Sequence, residues 1–319
     1  MVTRLILDTD IGTDVDDCLA LAVVLGSPEV RLEGVTCVYG DVALRARMVL
    51  KLLRLAGRED VPVMVGAREP LLRLRPIYWG GHEGQGLLDA ADEQLAPAPE
   101  HAVDYLVRTV MDNPGEIHLL AVGPLTNVAL ALSREPRLAE RLAHLTIMGG
   151  ALGGPAALDL PHAEHNVRCD PEAAHVVLAA GAPTTLVPLD VTTKVRIGPD
   201  GVLRLRAQGT PFHEAVARQV ELYPRFAAQG ATYLHDPLAA AVTVRPDLVD
   251  LQSLRVDVET QGRLTAGATL MRRPTTAAPA NARVALGVDA ATAEGFMLDL
   301  MVGAVDGRAS PVATAARGG

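Results

Sequence analysis

Leu5-Ile6-Leu7-Asp8-Thr9-Asp10-Ile11-Gly12-Thr13-Asp14-Val15-Asp16-Asp17-Cys18-Leu19-Ala20-Leu21-Ala22-Val23-Val24-Leu25 is the stretch on which the reading of the whole chain turns. Its short apolar start, Leu5 to Leu7, reads as a buried strand, and the longer apolar run at its end reads as a helix. Between them stand Asp8, Asp10, Asp14, Asp16 and Asp17, five carboxylates within ten residues. Charges crowded in this way repel, and a fold keeps them when a cation binds among them. Ligands that are all oxygen favour a hard ion such as Ca²⁺ or Mg²⁺. A turn from strand to helix is also where an open α/β sheet holds its ligands, outside the carboxyl ends of the strands. Helix capping and the helix dipole account for one or two aspartates here but not for five.

Two known acidic patterns can be set against the stretch. An EF-hand loop starting at Asp8 needs Asp or Asn where Gly12 stands and Glu where Leu19 stands, so that pattern fails. A haloacid-dehalogenase-type phosphatase also opens on a strand ending in Asp-x-Asp, as Asp8-Thr9-Asp10 does, but Gly12-Thr13 comes one residue too late for its continuation. That chemistry also wants a later lysine near the phosphate, and the only lysines are Lys51 and Lys194.

At 319 residues with 49% hydrophobic content, the chain can bury a substantial core. A net charge of -9 without an offsetting basic run argues against nucleic acid as a partner. No apolar run reaches the roughly 18 residues of a membrane span. Cys18, Cys37 and Cys169 each lie in or beside an apolar segment, and the N-terminus begins directly with a strand, so reduced thiols and a cytoplasmic location are expected.

Strand-like runs (Leu5 to Leu7, Leu32 to Val38, Val61 to Val65, Ile117 to Val122, Leu145 to Met148, Thr184 to Leu189) alternate with helical patterns. The latter include Ala43 to Leu55, His101 to Asp112, Leu125 to Leu132 and Pro171 to Ala180. Such alternation predicts an α/β fold, an open and mostly parallel sheet with helices on both faces. Residues 1–304 are expected to form a single domain, and the Gly- and Ala-rich stretch 305–319 is expected to fray. Several strands end in Gly, Asp or Pro, as at Tyr39-Gly40-Asp41, Gly123-Pro124, Gly149-Gly150 and Leu189-Asp190, where a ligand crevice would be built.

Four further clusters carry chemistry. Trp79 to Leu87 is glycine-rich, contains His82, and reads equally as a lid over a substrate or as a plain surface loop. Gly123-Pro124-Leu125-Thr126-Asn127 turns a strand into a helix. In Ala163-Glu164-His165-Asn166, Glu164 and Asn166 alternate on one face of an extended segment and could grip vicinal hydroxyls, while Asp170-Pro171 reads as a helix cap. Tyr233-Leu234-His235-Asp236 precedes an apolar helix. There Asp236 could complete a hard-ion site and His235 donate a proton at neutral pH, unless the pair is a mere cap.

Taken in order, these pieces resemble the nucleoside hydrolase family, the inosine-uridine preferring nucleoside hydrolases. The resemblance runs from Leu5 to about Leu298, through Asp8-Thr9-Asp10 with Asp16-Asp17, Val38 to Asp41, Gly123 to Asn127, Met148 to Gly150, Ala163 to Asn166 with Asp170-Pro171-Glu172, Leu189 to Thr192, and His235 to Leu238. It implies a Rossmann-like fold, a bound Ca²⁺, a small-molecule nucleoside as substrate, and a homodimer or homotetramer. By the same resemblance Asp10, Asp17, the Thr126 carbonyl and Asp236 would hold the ion, Asp10 would be general base for the attacking water and His235 the proton donor to the base. Asp16, Asp41, Glu164 and Asn166 would bind the sugar, with His82 and Trp79 closing over the site.

The chain also departs from the family's usual Asp-x-Asp-Pro-Gly-x-Asp-Asp. Ile11 replaces Pro, and two residues are added, so that Asp14 competes with Asp16 for a role. Asp41 stands where Asn is usual, Leu158 near the place of an Asn that meets the 5′ hydroxyl, His165 in place of Phe, and Glu83 in place of Gly. The base platforms on offer are Trp79, Tyr223, Phe226, Tyr233 and Tyr39. Trp79 gives a slight lean to purine acceptance. The changes at Asp41 and Leu158 motivate a second reading, a calcium-dependent ribosyl-ligand binding protein with altered catalysis.

Overall fold

The computed structural model of the chain describes residues 2–153 and 161–305. Its strands are β1 (Thr3–Thr9), β2 (Val30–Cys37), β3 (Val63–Val65), β4 (Ile117–Ala121), β5 (His144–Met148), β6 (Thr184–Val187), β7 (Arg196–Ile197), β8 (Thr232–Tyr233), β9 (Val249–Val258), β10 (Thr269–Arg272) and β11 (Ala282–Val288). In β1, Leu5 and Leu7 enter the core on one face of the sheet and Ile6 enters the core on the other. Successive side chains of a strand alternate between faces, so a run without polar alternation belongs at the centre of a sheet covered on both sides. Strand β1 has that position. Among the described residues a nine-stranded sheet runs β10-β9-β11-β6-β5-β4-β1-β2-β3, and β7 and β8 pair separately.

Helices α1 (Asp16–Gly26), α2 (Val42–Leu55), α3 (Ala102–Asp112), α4 (Thr126–Arg134), α5 (Leu138–Arg141), α6 (His165–Cys169) and α7 (Pro171–Ala179) alternate with the first strands. They are followed by α8 (Leu189–Thr192), α9 (Pro199–Arg206), α10 (Pro211–Leu222), α11 (Pro224–Gln229), α12 (His235–Val244) and α13 (Ala290–Val302). Apolar faces of α1, α2, α9, α10, α12 and α13 form one core with the sheet, and those of α3, α4, α5 and α7 form the other. Strands β2 and β4 flank β1, both parallel to it, so the strand order reverses direction there. The crevice this leaves lies at the carboxyl ends of β1 and β4, where Asp8 and Asp10 meet the Gly123 turn.

The open, mostly parallel sheet agrees with expectation, and the differences have local causes. Strand β3 starts only at Val63, after Pro62, which has no N–H to give a ladder. After Pro188 the chain turns into α8, so the expected strand stops at Val187. Glu164 and Asn166 do not lie on an extended segment: the Glu164 carboxylate accepts the N–H of Asn166 at 2.8 Å and of Val167 at 3.1 Å and starts α6. Strands β9, β10 and β11 went unforeseen, and the β10-β9-β11 pairings are antiparallel, which makes that edge of the sheet mixed. Leu158 and residues 306–319 of the tail lie outside the described residues.

At the opposite end of the strands from the crevice, His118 of β4 and His144 of β5 are cross-strand partners, with ring centroids 6.2 Å apart. Burial, then His118 and then Arg283 push His144 down to about 4 from the ordinary 6.5. The unfolded chain therefore takes up a proton below 6.5 that the folded chain refuses until about 4, so this residue withdraws stability as pH falls through that window. Buried carboxylates with raised values act in the opposite sense, binding their protons more tightly when folded. The expected result is a shallower loss of stability between pH 7 and pH 5 in His144→Gln than in the wild type, read from urea unfolding at the two pH values. Equal losses would sink the assignment.

Candidate active site

None of the five aspartates of the acidic turn stands at the cap position of α1: Val15 does, and it makes no side-chain cap bond. Capping therefore does not explain why they are there. Asp8, Asp10, Asp16 and Asp17 are all buried. Asp8 accepts from Thr36 Oγ1 and, at 2.8 Å, from Asn127 Nδ2, and its other oxygen has no partner. Burial first pushes its carboxyl up to about 7.

From the far end of the chain, α12 brings in Asp236, whose backbone N–H donates to Asp16 Oδ2 at 3.2 Å. Asp16, Asp17 and Asp236 then each present an oxygen within 4.8 Å of the others. All three are held well above the usual carboxylate range, by burial first and next by neighbouring aspartates: Asp14 and then Asp17 act on Asp16, Asp10 on Asp17, and Asp16 and then Asp17 on Asp236. Asp10 adds to this repulsion on Asp17 and Asp236 and is itself raised by burial, with Arg45 opposing. Oxygen donors only, buried and mutually repelling, make a set that a hard divalent cation would relieve. The donor set fits such an ion.

Asp14 and Asp16 are placed differently. Asp16 is in the triad, whereas Asp14 accepts from Tyr223 Oη at 2.6 Å and from the Val15 N–H at 2.6 Å. A small cavity of about 80 Å³ lies beside this pair, lined among others by Ile11, Gly12, His82, Gln85 and Gln219. Asp10 faces the turn after β4: a Cβ at Gly123 would come within 2.8 Å of Asp10 Oδ1, so only glycine fits.

Thr126 is the first residue of α4, and its hydroxyl donates to Asp170 Oδ2 at 2.7 Å. Glu164 also accepts from the Gly150 N–H at 3.1 Å, which fixes its buried carboxyl at the end of β5, while burial raises it above the ordinary carboxylate range. Asn166 Nδ2 donates to Val122 O at 2.7 Å and Met148 O at 3.3 Å, tying the ends of β4 and β5 together. Asp41 is exposed and caps α2 by accepting the Leu44 N–H at 3.0 Å.

His235 opens α12, and its Nδ1 lies 2.7 Å from Thr192 Oγ1. Burial, then the charge of Arg225, push its imidazole down to about 3. At neutral pH the ring is thus uncharged, and any proton it supplies comes from a neutral imidazole rather than from an imidazolium.

The glycine-rich loop lies over the turn. His82 packs toward Tyr223 with ring centroids 6.1 Å apart, and its Nε2 is buried without a partner. Glu83 is buried, accepting the Gly80 N–H at 2.6 Å. Trp79 is 38% exposed and rests against Gly40 and the guanidinium of Arg45. Arg45 and the Asp14–Tyr223 pair escaped the sequence reading. An arginine on the otherwise apolar face of α2 was the available signal for the first.

Lys51 is paired with Asp92 at 2.8 Å and with Asp89, and so is engaged in its own ion pairs rather than free to serve a phosphate. No helix among the described residues is long and apolar enough to cross a membrane.

Against known proteins, residues 5–294 match the model of the inosine-uridine preferring nucleoside hydrolase family. A pyrimidine-specific ribonucleoside hydrolase, RihA, of Citrobacter koseri is 36% identical over 281 residues, covering 85% of this chain and 88% of that one. Uridine nucleosidase 1 of Arabidopsis thaliana is 35% identical over 84% of this chain and 81% of its own. Among solved structures, a purine-preferring ribonucleoside hydrolase from Gardnerella vaginalis superposes with a TM-score of 0.85 at 29% identity, covering 95% of this chain and 99% of that one.

Proposed function

The chain belongs to the inosine-uridine preferring nucleoside hydrolase family, and from its site we propose that it cleaves the N-glycosidic bond of ribonucleosides with Ca²⁺ bound, releasing free base and ribose. The observation that carries this reading is the buried Asp16, Asp17 and Asp236 triad beside Asp10 at the reversal of strand order.

Asp10, Asp17, the Thr126 carbonyl and Asp236 are the proposed ligands, with Asp16 close enough to share the role. When bound, the ion offsets the clustered charge and favours deprotonation of a water. Asp10 takes the proton from that water. Cleavage builds positive charge on the ribose ring and negative charge on the departing base, and only groups matched to those charges speed the step. Glu164 and Asp16 place negative oxygen beside the ring, and Asn166, which ties the ends of β4 and β5 together, is the further proposed sugar contact. His235 donates to the leaving base, and the loop with His82 excludes other water.

A slight lean toward purines rests on the exposed indole of Trp79, and the relatives named as pyrimidine-specific stand against it. We extend the reading to a homodimer or homotetramer. The exposed apolar side chains Leu72, Leu74, Ile77 and Tyr78 are available surface for that contact.

The test is release of free base from inosine, guanosine, adenosine, uridine and cytidine, with and without a Ca²⁺ chelator. Hydrolysis that falls with chelation and returns with Ca²⁺ is expected. A protein that binds Ca²⁺ and nucleoside yet turns over none of the five would be a ribosyl-ligand binder instead.

A further inference from the structure

A charged residue with no exposed surface needs a reason. The Arg45 side chain has a relative exposure of 0%, on a helix face otherwise made of Val42, Ala46, Val49 and Leu53. Burying a guanidinium is costly unless its donors are matched, and here they are. Nε donates to Tyr39 O at 2.6 Å, Nη1 to Ile11 O at 2.7 Å and to Asp10 O, and Nη2 to Thr13 Oγ1 at 2.8 Å. Nη2 also lies 3.9 Å from Asp10 Oδ2.

These acceptors belong to two separate pieces of the site. One is the acidic turn. The other is the corner after β2, where Tyr39 takes a left-handed backbone (φ 65) that a bulky residue rarely adopts. A third piece joins them: the guanidinium lies 5.1 Å from the centre of the Trp79 ring, and the neighbouring Tyr78 N–H donates to Tyr39 Oη at 2.8 Å. Both contacts lie at the start of the glycine-rich loop.

We propose that Arg45 is a positioning residue for the hydrolysis, tying the acidic turn, the Tyr39 corner and the Trp79 loop into one unit so that the Asp10 carboxylate and the loop over the site are set together. The proposal rests on the reading of Asp10 and the loop given above. Only arginine serves in this place. Its planar fork reaches acceptors on three sides while its flat face stays open to an indole, whereas a lysine ammonium is a point donor without such a face. A purely structural tie would hold the fold and leave turnover untouched.

Trp79 is the single tryptophan of the chain, so its emission reports this contact directly. The experiment compares the wild type, Arg45→Lys, Trp79→Leu, Trp79→Phe and the Arg45→Lys/Trp79→Leu double variant by kcat and KM and by Ca²⁺ titration calorimetry, with iodide quenching of Trp79 in the wild type and Arg45→Lys. In Arg45→Lys, kcat is expected to fall about a hundredfold, the scale of a misplacement of roughly 1 Å at the reacting groups. KM should change less than about threefold, Ca²⁺ affinity should fall, and Trp79 should become more readily quenched.

Trp79→Leu is expected to lower kcat by about tenfold and Trp79→Phe to restore most of it, because a ring face is what the guanidinium requires. The double variant should be no worse than Arg45→Lys alone, the mark of coupled residues. Additive losses would overturn the proposal, as would unchanged kcat and quenching in Arg45→Lys. If Arg45→Lys does not fold, the Leu and Phe pair at residue 79 decides: equal, wild-type kcat in both rejects it. If the wild type cleaves no nucleoside, that defeats the functional reading, while quenching and Ca²⁺ affinity still test the tie.

Discussion

Asp10→Ala lowers kcat for the best nucleoside by at least about a thousandfold, which is about 4 kcal/mol of barrier, without unfolding the protein. The loss has two sources. Asp10 is the proposed acceptor of the water's proton, and three of its neighbours hold hydrogen bonds of their own. Asp17 is engaged by the Thr9 hydroxyl, Asp16 by the Asp236 N–H, and Asp8 is committed to Thr36 and Asn127. Asp10 is also a proposed ligand, so the variant should bind Ca²⁺ more weakly.

Stability should move the other way. Asp10 repels Asp17 and Asp236, so its removal relieves the metal-free protein, and Tm in chelator should stay level or rise. With Ca²⁺ added, the rise in Tm should be smaller than in the wild type, since stabilisation by a ligand follows its affinity. Activity assays and thermal melts with and without Ca²⁺ read both effects. A variant that retains a tenth of wild-type kcat would remove Asp10 from the role of base.

His235→Ala is expected to lower kcat for inosine or uridine by about a hundredfold to a thousandfold while leaving KM nearly unchanged. The mechanism predicts where that penalty disappears. A ribosyl compound whose leaving group departs as a stable anion, such as a p-nitrophenyl ribofuranoside, needs no proton, so the variant should cleave it within a few-fold of the wild-type rate. Because burial and Arg225 hold the imidazole near 3, its charge does not change across the neutral range. Where the Thr192 hydroxyl donates to Nδ1, Nε2 carries the proton and presents a neutral donor, a form of catalysis known for histidines kept uncharged. Thr192→Val should therefore share part of the nucleoside defect. Equal losses on both substrate types would show that His235 acts on the sugar or the ion rather than on the leaving base.

The acidic turn, the parallel sheet and the pairing of His235 with Asp236 were legible because each is local. Five aspartates between two apolar runs have few explanations, and strand–helix alternation needs no knowledge of partners. What escaped was set by contacts across the chain. Tyr223 reaches Asp14 over 209 positions, and nothing near either residue announces the other. Asp41 is expected at the sugar from the family resemblance, and its Oδ1 also has a local task at the start of α2, accepting the Leu44 N–H. Glu164 and Asn166 have a spacing of two that suits a strand, and only the backbone N–H groups folded onto the Glu164 carboxylate make it a helix start. Strand β9 carries charged residues on both sides, Asp250 on one and Arg255 and Asp257 on the other, which blurred its period.

The hydrogen bond between Asp236 and Asp16 spans 220 residues. During synthesis the amino-terminal acidic turn leaves the ribosome long before its last member exists, and until α12 arrives the nascent segment holds an incomplete cradle for the ion. Closing so long a loop is a late and slow event in folding. Ca²⁺ should consequently do little to the early phases of refolding and act on the final one, making capture of the ion a signal that the two ends of the chain have met.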